Sequence, residues 1–417
     1  MSNDKKEDIP DYQSEHSDSE DQQDDQKQQY IANASSFKDF MLREELNRAI
    51  EEAGFEKPSP VQNACINLAV NGRDILCQAQ AGTGKTAVFV LSILNQLTKE
   101  KPDPLQALVI CPTRELAQQI RDEFKRFQKF MKGIWTEAFF GGDATVQDHI
   151  QQLKQSPPTI IVGCPGRLLD LVQKKALDLK KIKYFVVDEC DQILSNNKFV
   201  NQITQIFIET PRDKQVMMFS GTLPKEIRPK CMKFLQNYEE VIVEDTAKLV
   251  LNGLDQYQKN LEEKQKLVEL RRLLETVDYN QAMIFVSDQE RATKLSEYLE
   301  SKGHENSFIH GRLKQQLRNQ TYEQYKQQYR RILIATDLFG RGMDFPRVNL
   351  VINFDMPRNK DANQNEQYMH RVGRAGRHFT KGNAISFIAS EQDKKQIEEI
   401  QNYFSCTIEE LPDQIEN

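Results

Sequence analysis

The sequence lacks the features that mark membrane, secreted and metal-scaffold proteins. No apolar run approaches the roughly 18 residues that a membrane-spanning helix needs, and the sequence starts without an apolar signal segment. Its seven cysteines are scattered without a CxxC pair, and its six histidines are equally dispersed. These absences argue against a disulfide framework and a zinc site, and they predict a soluble protein of a reducing, intracellular compartment.

A strong charge of one sign is also missing from most of the chain. The formal net charge is −6, but residues 1–30 alone hold ten acidic and three basic residues, a local charge of −7. The rest is therefore nearly neutral, so overall charge gives no indication of nucleic-acid binding, and any such site must be local. Residues 1–34 are rich in Asp, Glu, Gln and Ser, which predicts a disordered acidic tail.

After this tail, short apolar runs alternate with longer helical stretches. Strands that are apolar on both sides are typical of parallel sheets covered by helices on both faces. Two series of such runs occur, so we predict two α/β domains, residues 35–243 and 256–417, joined by a polar linker over residues 244–255. The predicted strands are 74–77, 107–111, 159–162, 184–187 and 216–219, then 282–286, 307–309, 331–335, 350–354 and 384–388.

A glycine-rich loop follows the first predicted strand and reads AQAGTGKT over residues 79–86. Its glycines let backbone N–H groups approach phosphate oxygens, and the helix that follows adds favourable partial charge. Lys85 would reach the β- and γ-phosphates, and the Thr86 hydroxyl would ligate Mg²⁺. The general pattern begins with Gly where this loop has Ala79, and an ordinary turn is the alternative. The predicted nucleotide contacts of the loop are Ala81, Gly82, Thr83, Gly84, Lys85 and Thr86.

An acidic motif, DECD over residues 188–191, follows the predicted strand 184–187. A carboxylate beside a phosphate loop can hold Mg²⁺, and a second can orient and deprotonate the attacking water. We assign Asp188 to the metal, through water, and Glu189 to the attacking water. An exposed acidic turn is the alternative for these four residues alone, and their order after the phosphate loop disfavours it.

The succession of these motifs resembles the DEAD-box RNA helicases, and Cys190 is similar to the residue that marks their DECD-box subgroup. The resemblance extends over about residues 35–415 and implies two tandem RecA-like domains. It also implies that Phe37 stacks on the adenine ring and that Gln62 hydrogen-bonds the adenine edge, which favours ATP over GTP. The residues that would couple the two domains are Asp191, Ser220, Thr222, Arg341 and His370.

A second-domain motif, HRVGRAGR over residues 370–377, resembles the arginine-finger motif of that family. The resemblance implies that Arg374 and Arg377 reach the γ-phosphate, because a guanidinium fork binds phosphate oxygens and stays protonated. Asp344 would contact the ATP ribose. The predicted catalytic residues are Asp188, Glu189, Lys85, Arg374 and Arg377.

The remaining matches are loops that the family directs at one RNA strand. Contacts to phosphate and 2′-hydroxyl groups carry no base information, so RNA binding would be sequence-independent. Cys164 and Gly221 depart from the family's Thr and Ala, and residues 359–367 form a predicted surface loop longer than the family norm. The predicted RNA contacts are Pro112, Thr113, Arg114, Gly142, Pro165, Gly166, Arg167, Ser287, Gln315, Arg318 and Thr336.

The resemblance implies an ATP- and Mg²⁺-dependent RNA helicase that acts as a monomer. Cys190 and the run KEIRP over residues 225–229 resemble the nuclear helicases of pre-mRNA splicing and mRNA export, which belong to the TREX assembly and bind export adaptor proteins. A cytoplasmic translation-initiation helicase and an RNA clamp without strand separation are the alternatives. An ATPase acting on DNA or on a protein is disfavoured, because Gln62 and residues 164–167 have no role in it.

Overall fold

The computed structural model of the chain divides into two compact units, Met1–Val243 and Glu244–Asn417. The structure describes residues 34–79, 82–97, 103–142, 144–243, 254–337, 345, 347–358, 364–375, 381–404, 406–413 and 415, and only the backbone of residues 315, 316, 319 and 366. Within these ranges no helix is both long and apolar enough to cross a membrane.

Strands and helices alternate along the first unit. Its strands are β1 (Ile75–Gln78), β2 (Ala107–Ile110), β3 (Thr136–Phe139), β4 (Ile160–Gly163), β5 (Tyr184–Asp188), β6 (Gln215–Ser220) and β7 (Glu239–Ile242). Its α-helices are α1 (Glu44–Glu52), α2 (Pro60–Val70), α3 (Lys85–Gln96), α4 (Arg114–Phe127), α5 (Val146–Gln155), α6 (Pro165–Gln173), α7 (Cys190–Ser195), α8 (Asn197–Ile208) and α9 (Arg228–Met232). Short 3₁₀ turns cover Phe37–Phe40 and Leu179–Lys181.

The second unit repeats this alternation. Its strands are β8 (Leu254–Asn260), β9 (Gln281–Phe285), β10 (Asn306–Ile309), β11 (Ile332–Ala335), β12 (Val348–Asn353), β13 (Gly382–Ile388) and β14 (Glu409–Glu410). Its α-helices are α10 (Lys266–Thr276), α11 (Gln289–Ser301), α12 (Gln315–Lys326), α13 (Gln364–Val372) and α14 (Glu391–Phe404), with a 3₁₀ turn at Glu263–Gln265.

Each unit is built on one parallel seven-stranded sheet, which confirms the predicted fold class. The strand orders are β3-β4-β2-β5-β6-β1-β7 and β10-β11-β9-β12-β13-β8-β14, so β5 and β12 are each the fourth strand of seven. Successive strand residues point to opposite faces: in β2, Ala107 and Val109 lie in one apolar core and Leu108 and Ile110 in the other. The loops at the carboxyl ends of the strands lie along one edge of each sheet, where α/β proteins bind ligands.

The ten predicted strands all occur, and their ends differ from the prediction by no more than two residues. Strands β3, β7, β8 and β14 were not predicted. Because β8 begins at Leu254 and pairs with β13, the last two residues of the predicted linker are strand; residues 244–253 lie outside the described residues.

Two further predictions fall partly or wholly on residues outside the described ranges. The predicted surface loop over residues 359–367 is wrong for its second half, because α13 begins at Gln364 and Gln367 is buried. Residues 359–363 lie outside the described residues, and so do residues 1–33 of the predicted acidic tail.

Candidate active site and nucleic-acid interface

The predicted phosphate loop lies between β1 and α3, at the carboxyl edge of the first sheet. Gly82 and Gly84 have φ angles of 83° and 92°, in the left-handed region that favours glycine. Gly84 also packs closely, because a Cβ atom there would lie 2.3 Å from Nε2 of Gln62. The backbone angle therefore favours glycine at Gly84, and a larger residue there would also displace the Gln62 amide. Ala81 lies outside the described residues.

The side chain of Lys85 is buried at the first position of α3, and Thr86 follows it. The Lys85 Nζ atom donates a hydrogen bond to the carbonyl oxygen of Ala79, on the other side of the loop. The Ser59 hydroxyl donates to the carbonyl of Thr83 at 2.6 Å. These two hydrogen bonds join the loop to the end of β1 and to the start of α2.

The two residues predicted to contact adenine both have partners within the chain. The Gln62 amide donates from Nε2 to the Gly84 carbonyl at 3.3 Å, and its Oε1 accepts from the Ser59 N–H at 2.9 Å. Phe37 is 3% exposed, with its ring centroid 5.8 Å from that of Phe40 and 5.7 Å from that of Phe55, both edge-to-face. Gln62 thus lies at the phosphate loop, whereas Phe37 belongs to an aromatic cluster.

Three acidic residues, Asp188, Glu189 and Asp191, lie at the end of the central strand β5. Asp188 is its last residue, and its Oδ1 accepts the Glu189 N–H at 3.0 Å. Burial, together with the Glu189 carboxylate, raises the pKa of Asp188 to about 7, although Lys85 acts in the opposite direction. Glu189 has φ 52° and ψ 50°, a left-handed conformation that costs a non-glycine residue about 1–3 kcal/mol. Such strain is typical of functional sites.

This group of oxygen atoms suits a hard divalent cation such as Mg²⁺. Asp188 is a buried carboxylate whose ionised form is disfavoured, and a cation beside it would stabilise the ionised form. The Thr86 hydroxyl comes from the first turn of α3, next to Lys85, whose charge acts on Asp188. Asp188 and Thr86 remain the residues that we predict to hold the ion at this edge, where Glu189 and Asp191 supply further carboxylates.

The predicted coupling residues of the first unit form one hydrogen-bonded group. The Thr222 hydroxyl donates to Oδ2 of Asp191 at 2.9 Å. The Ser220 hydroxyl donates to the Thr222 carbonyl and accepts the Thr222 N–H at 3.3 Å. The acidic motif is thereby tied to the segment after β6. Arg341 lies outside the described residues, and His370 lies in α13.

Two guanidinium groups converge at the predicted RNA site of the first unit. A Cβ atom on Gly141 would lie 3.7 Å from Nη2 of Arg114 and 3.7 Å from Nη2 of Arg167. Arg167 donates to the Ala144 carbonyl at 3.1 Å, and its Nη1 lies 2.7 Å from Nδ1 of His149. Burial and the charge of Arg167 lower the pKa of His149 to about 4, so this ring is neutral at pH 7 and Nδ1 accepts the hydrogen bond.

Two helix N-termini lie at the same carboxyl edge of the sheet, because the neighbouring parallel strands β2 and β4 are followed by α4 and α6. Helix N-termini favour anions such as phosphate. Thr113, after Pro112, caps α4 by accepting the Leu116 N–H at 3.3 Å. Cys164 caps α6 without a side-chain hydrogen bond, consistent with the loss of a hydroxyl at this position. Pro165 and Gly166 open α6, and Gly142 has φ 134°.

The predicted RNA residues of the second unit lie at neighbouring strand ends. Ser287 follows β9, Thr336 follows β11, and these strands are paired, with the Val286 N–H donating to the Ala335 carbonyl at 3.0 Å. Gln315 begins α12, and Arg318 lies one turn further along it.

The predicted nucleotide residues of the second unit are only partly described. Arg374 lies just after α13, and its Nε donates to the His370 carbonyl at 2.9 Å. Asp344 and Arg377 lie outside the described residues.

A buried acidic residue at the end of the second sheet was missed by sequence reasoning. Asp355 follows β12, and its Oδ1 accepts from Nζ of Lys266 at 3.0 Å. Its Oδ2 accepts the Ser287 N–H at 3.0 Å and lies 2.6 Å from Nε of Arg291. The available signal was its position directly after the predicted strand 350–354, where a carboxylate lies at the carboxyl edge of a parallel sheet.

The chain is similar to well-known families and proteins over most of its length. Residues 59–229 match the DEAD/DEAH box helicase family, and residues 265–379 match the helicase conserved C-terminal domain. ATP-dependent RNA helicase WM6 of Drosophila melanogaster is 48% identical over 94% of this chain and 91% of its own length. ATP-dependent RNA helicase SUB2 of Saccharomyces cerevisiae is 46% identical over 94% and 86% of the two chains. The solved structure of S. cerevisiae Dbp5 bound to RNA and ADP BeF3 superimposes with a TM-score of 0.83 at 32% identity, over 90% of this chain and 95% of that chain.

Proposed function

Since the chain belongs to the DEAD-box ATP-dependent RNA helicases, we propose that the strand-end residues of its two units bind ATP, Mg²⁺ and RNA. Family membership rests on 48% identity over 94% of the chain, and it makes the protein an RNA helicase and an ATPase. The observation that carries the assignment of the ATP site is the buried Asp188 beside Lys85 and the strained Glu189.

In the first unit, residues 82–86 bind the phosphates, with Lys85 on the β- and γ-phosphates. Asp188, through water, and Thr86 hold Mg²⁺, which when bound neutralises phosphate charge. Glu189 orients the attacking water and accepts its proton. The strained backbone of Glu189 supports this role, since strain of this kind fixes a side chain in a direction that a relaxed turn does not provide.

The remaining ATP contacts come from both units. Gln62 and Phe37 bind adenine, and Asp344 binds the ribose. Arg374 and Arg377 bind the γ-phosphate once ATP and RNA are both present, and an arginine in this role contributes about 10³–10⁵ in rate. The state in which ATP and RNA are both bound is transmitted between the units by the coupling residues Asp191, Ser220, Thr222, Arg341 and His370.

RNA binds along the carboxyl edges of both sheets. The convergence of Arg114 and Arg167 at Gly141 supports a phosphate site, since guanidinium groups pair with phosphate oxygens bidentately. Ser287, Thr336, Arg318 and Gln315 extend the site in the second unit. Because such contacts read the backbone and not the bases, binding is sequence-independent.

The biological setting that we propose is nuclear pre-mRNA splicing and mRNA export, together with export adaptor proteins of the TREX type. The support is the similarity to SUB2 and WM6 along nearly the whole chain. Localisation of the tagged protein and crosslinking to polyadenylated RNA test this setting. Nuclear enrichment on spliced messages is expected, and association with cytoplasmic initiation complexes would favour the translation alternative.

The experiment that tests the proposed chemistry is steady-state ATP hydrolysis with and without single-stranded RNA, for the wild type and Glu189→Gln. RNA is expected to stimulate hydrolysis, and Glu189→Gln is expected to lower the stimulated rate by about 10²–10⁴-fold while RNA binding is kept. Glu209→Gln, an exposed change at the end of α8, is the matched control.

Further arms of the same experiment separate the competing functions. Hydrolysis that is indifferent to RNA would contradict the RNA-coupled site, and equal stimulation by DNA would point to a general nucleic-acid ATPase. A duplex-release assay alongside RNA binding separates strand separation from clamping. Release of the displaced strand is expected for a helicase, whereas RNA binding without release indicates a clamp.

A further inference from the structure

The carboxylate of Asp355 has three polar partners within its own unit. It accepts a hydrogen bond from Lys266 at 3.0 Å and from the Ser287 N–H at 3.0 Å, and it pairs with Arg291 at 2.6 Å. Its side chain is 4% exposed and that of Lys266 is 1% exposed. An ion pair so deeply buried contributes weakly to net stability, so its value lies in fixing a geometry.

The cations around Asp355 are held in one arrangement from several sides. Glu263 forms a second ion pair with Lys266 at 3.1 Å and another with Arg291, so two acids and two bases balance. The Lys266 ammonium and the Arg291 guanidinium also lie 5.4 and 5.1 Å from the ring centroid of Phe354. In this arrangement Oδ2 of the Asp355 carboxylate accepts the Ser287 N–H at 3.0 Å.

The main chain of Asp355 is bonded to a different functional segment. Its carbonyl accepts from Nη1 of Arg371 at 2.6 Å, and Arg371 also donates to Asn353 at 3.2 Å and to Asp337 at 2.5 Å. Arg371 is buried in α13, next to His370, and Asp337 directly follows Thr336. One residue thus touches the turn at Ser287 through its side chain and α13 through its main chain.

We infer that Asp355 is a positioning residue that couples the RNA-facing turns at Ser287 and Thr336 to the arginine-bearing end of α13. A shift of the Ser287 turn changes the hydrogen bond to the carboxylate, and the rigid ion-pair network passes the change to the Arg371 contacts. The inference rests on the proposed function, because it takes Ser287 and Thr336 as RNA contacts and Arg374 as an ATP contact.

The test measures the coupling between ATP and RNA, defined as the ratio of the RNA dissociation constants without and with a non-hydrolysable ATP analogue. Coupling of this kind is typically about 5–150-fold, and Asp355→Asn is expected to remove most of it, so that the ratio falls towards 1. Arg371→Lys keeps the charge but loses the forked contact, so it is expected to lower the ratio less. Arg371→Lys also tests the inference if Asp355→Asn folds poorly.

The matched control is Asp393→Asn. Asp393 is a carboxylate of the same unit, 2% exposed, that accepts the Ala389 N–H at 3.1 Å and pairs with Arg358 at 3.5 Å. It touches neither the Ser287 turn nor α13 through those contacts, so its change is expected to leave the coupling ratio as in the wild type. Thermal unfolding of all variants identifies any loss of folded protein.

The outcomes separate the inference from the proposed function. A wild type without coupling would overturn the proposed function itself. A coupled wild type with unchanged ratios in Asp355→Asn and Arg371→Lys would overturn the role of Asp355. Equal losses in Asp355→Asn and Asp393→Asn would also overturn it, because a general loss of stability would then explain the result.

Discussion

Asp188 is the last residue of β5 and Asp355 lies two residues after β12, and these strands correspond because each is the fourth strand of a seven-stranded parallel sheet. Both carboxylates are buried. Burial raises the pKa of Asp188 to about 7, with Glu189 adding to the rise. Burial also acts to raise the pKa of Asp355, but Lys266, the Ser287 N–H and Arg291 outweigh it and hold that pKa below its ordinary value.

The charged partners of the two carboxylates differ, and this difference distinguishes a proposed ligand site from a proposed structural contact. Asp355 has its cations built into the chain, so its charge is balanced whether or not a ligand is bound. Asp188 lies among Glu189 and Asp191, and the charge of Lys85 does not outweigh burial and these carboxylates, so a further cation from outside would stabilise the ionised form of Asp188. By this proposal, corresponding strand ends carry a metal-binding acid in one unit and a positioning acid in the other.

The largest effect that we expect is the loss of hydrolysis in Asp188→Asn. The amide keeps an oxygen to accept the Glu189 N–H but cannot supply a charge to Mg²⁺, whose contribution to such reactions is several kcal/mol, so the rate is expected to fall about 10³-fold. Steady-state hydrolysis at saturating ATP, RNA and Mg²⁺ measures it. A rate within tenfold of the wild type would remove Asp188 from the metal site and end the contrast with Asp355.

The next effect concerns stability, and it is expected for Asp355→Asn. Removal of one partner from a buried ion pair costs about 3–5 kcal/mol; because Glu263 still pairs with Lys266 and Arg291, we expect a loss of about 3 kcal/mol in the free energy of unfolding of the second unit. Urea unfolding measures it. Adding Lys266→Met is expected to recover part of the loss. An unchanged midpoint for Asp355→Asn would mean that the network is not needed to balance this charge.

The strands that sequence reasoning found and missed differ in burial. The runs that predicted β2, β4, β5 and β9 are buried along their whole length, so both faces are apolar and the run is continuous. Strands β3, β7 and β14 lie at sheet edges, β8 lies next to one, and all four contain partly or fully exposed residues. The edge strand β10 has the same burial pattern as β3 and was nevertheless predicted. A half-polar strand of two to seven residues carries too weak a pattern to be distinguished from a loop.

The functional residues also fall into a group that the sequence predicted and a group that it did not. The predicted ones are close together in sequence, and the others are brought together only by the fold. The phosphate loop and the acidic motif are contiguous in sequence, because the chemistry of each needs adjacent residues on one turn. The network of Asp355 joins Lys266, 89 positions away, and Arg371 joins Asp337 across 34. Ion pairs at such separations are made by the sheet order and not by a local pattern, so sequence alone could supply only the position of Asp355 after a strand.

The smallest effect, and the most direct test of the comparison, is the pH dependence of Asp188→Asn. The folded-state pKa of Asp188, about 7, lies above its ordinary value of 3.8, so between these limits the folded chain holds a proton that the unfolded chain has released. The extra proton stabilises the folded wild type. This contribution to the free energy of unfolding is present in full below about pH 4 and is lost as the pH rises through 7. Asp188→Asn does not titrate, so its stability relative to the wild type is expected to rise by about 2–3 kcal/mol from pH 5 to pH 8.

Denaturant unfolding of the first unit, without Mg²⁺ or nucleotide, at several pH values measures this difference. Asp74, whose pKa is raised to about 6 by burial, and His149, whose pKa is lowered to about 4, titrate in the same range. Because both groups occur in the wild type and in the variant, their contributions cancel when the stability of the wild type is subtracted from that of the variant. A difference that stays constant from pH 5 to pH 8 would mean that Asp188 is ionised in the folded chain like Asp355. The two acids would then differ in their partners alone and not in their readiness to accept a cation.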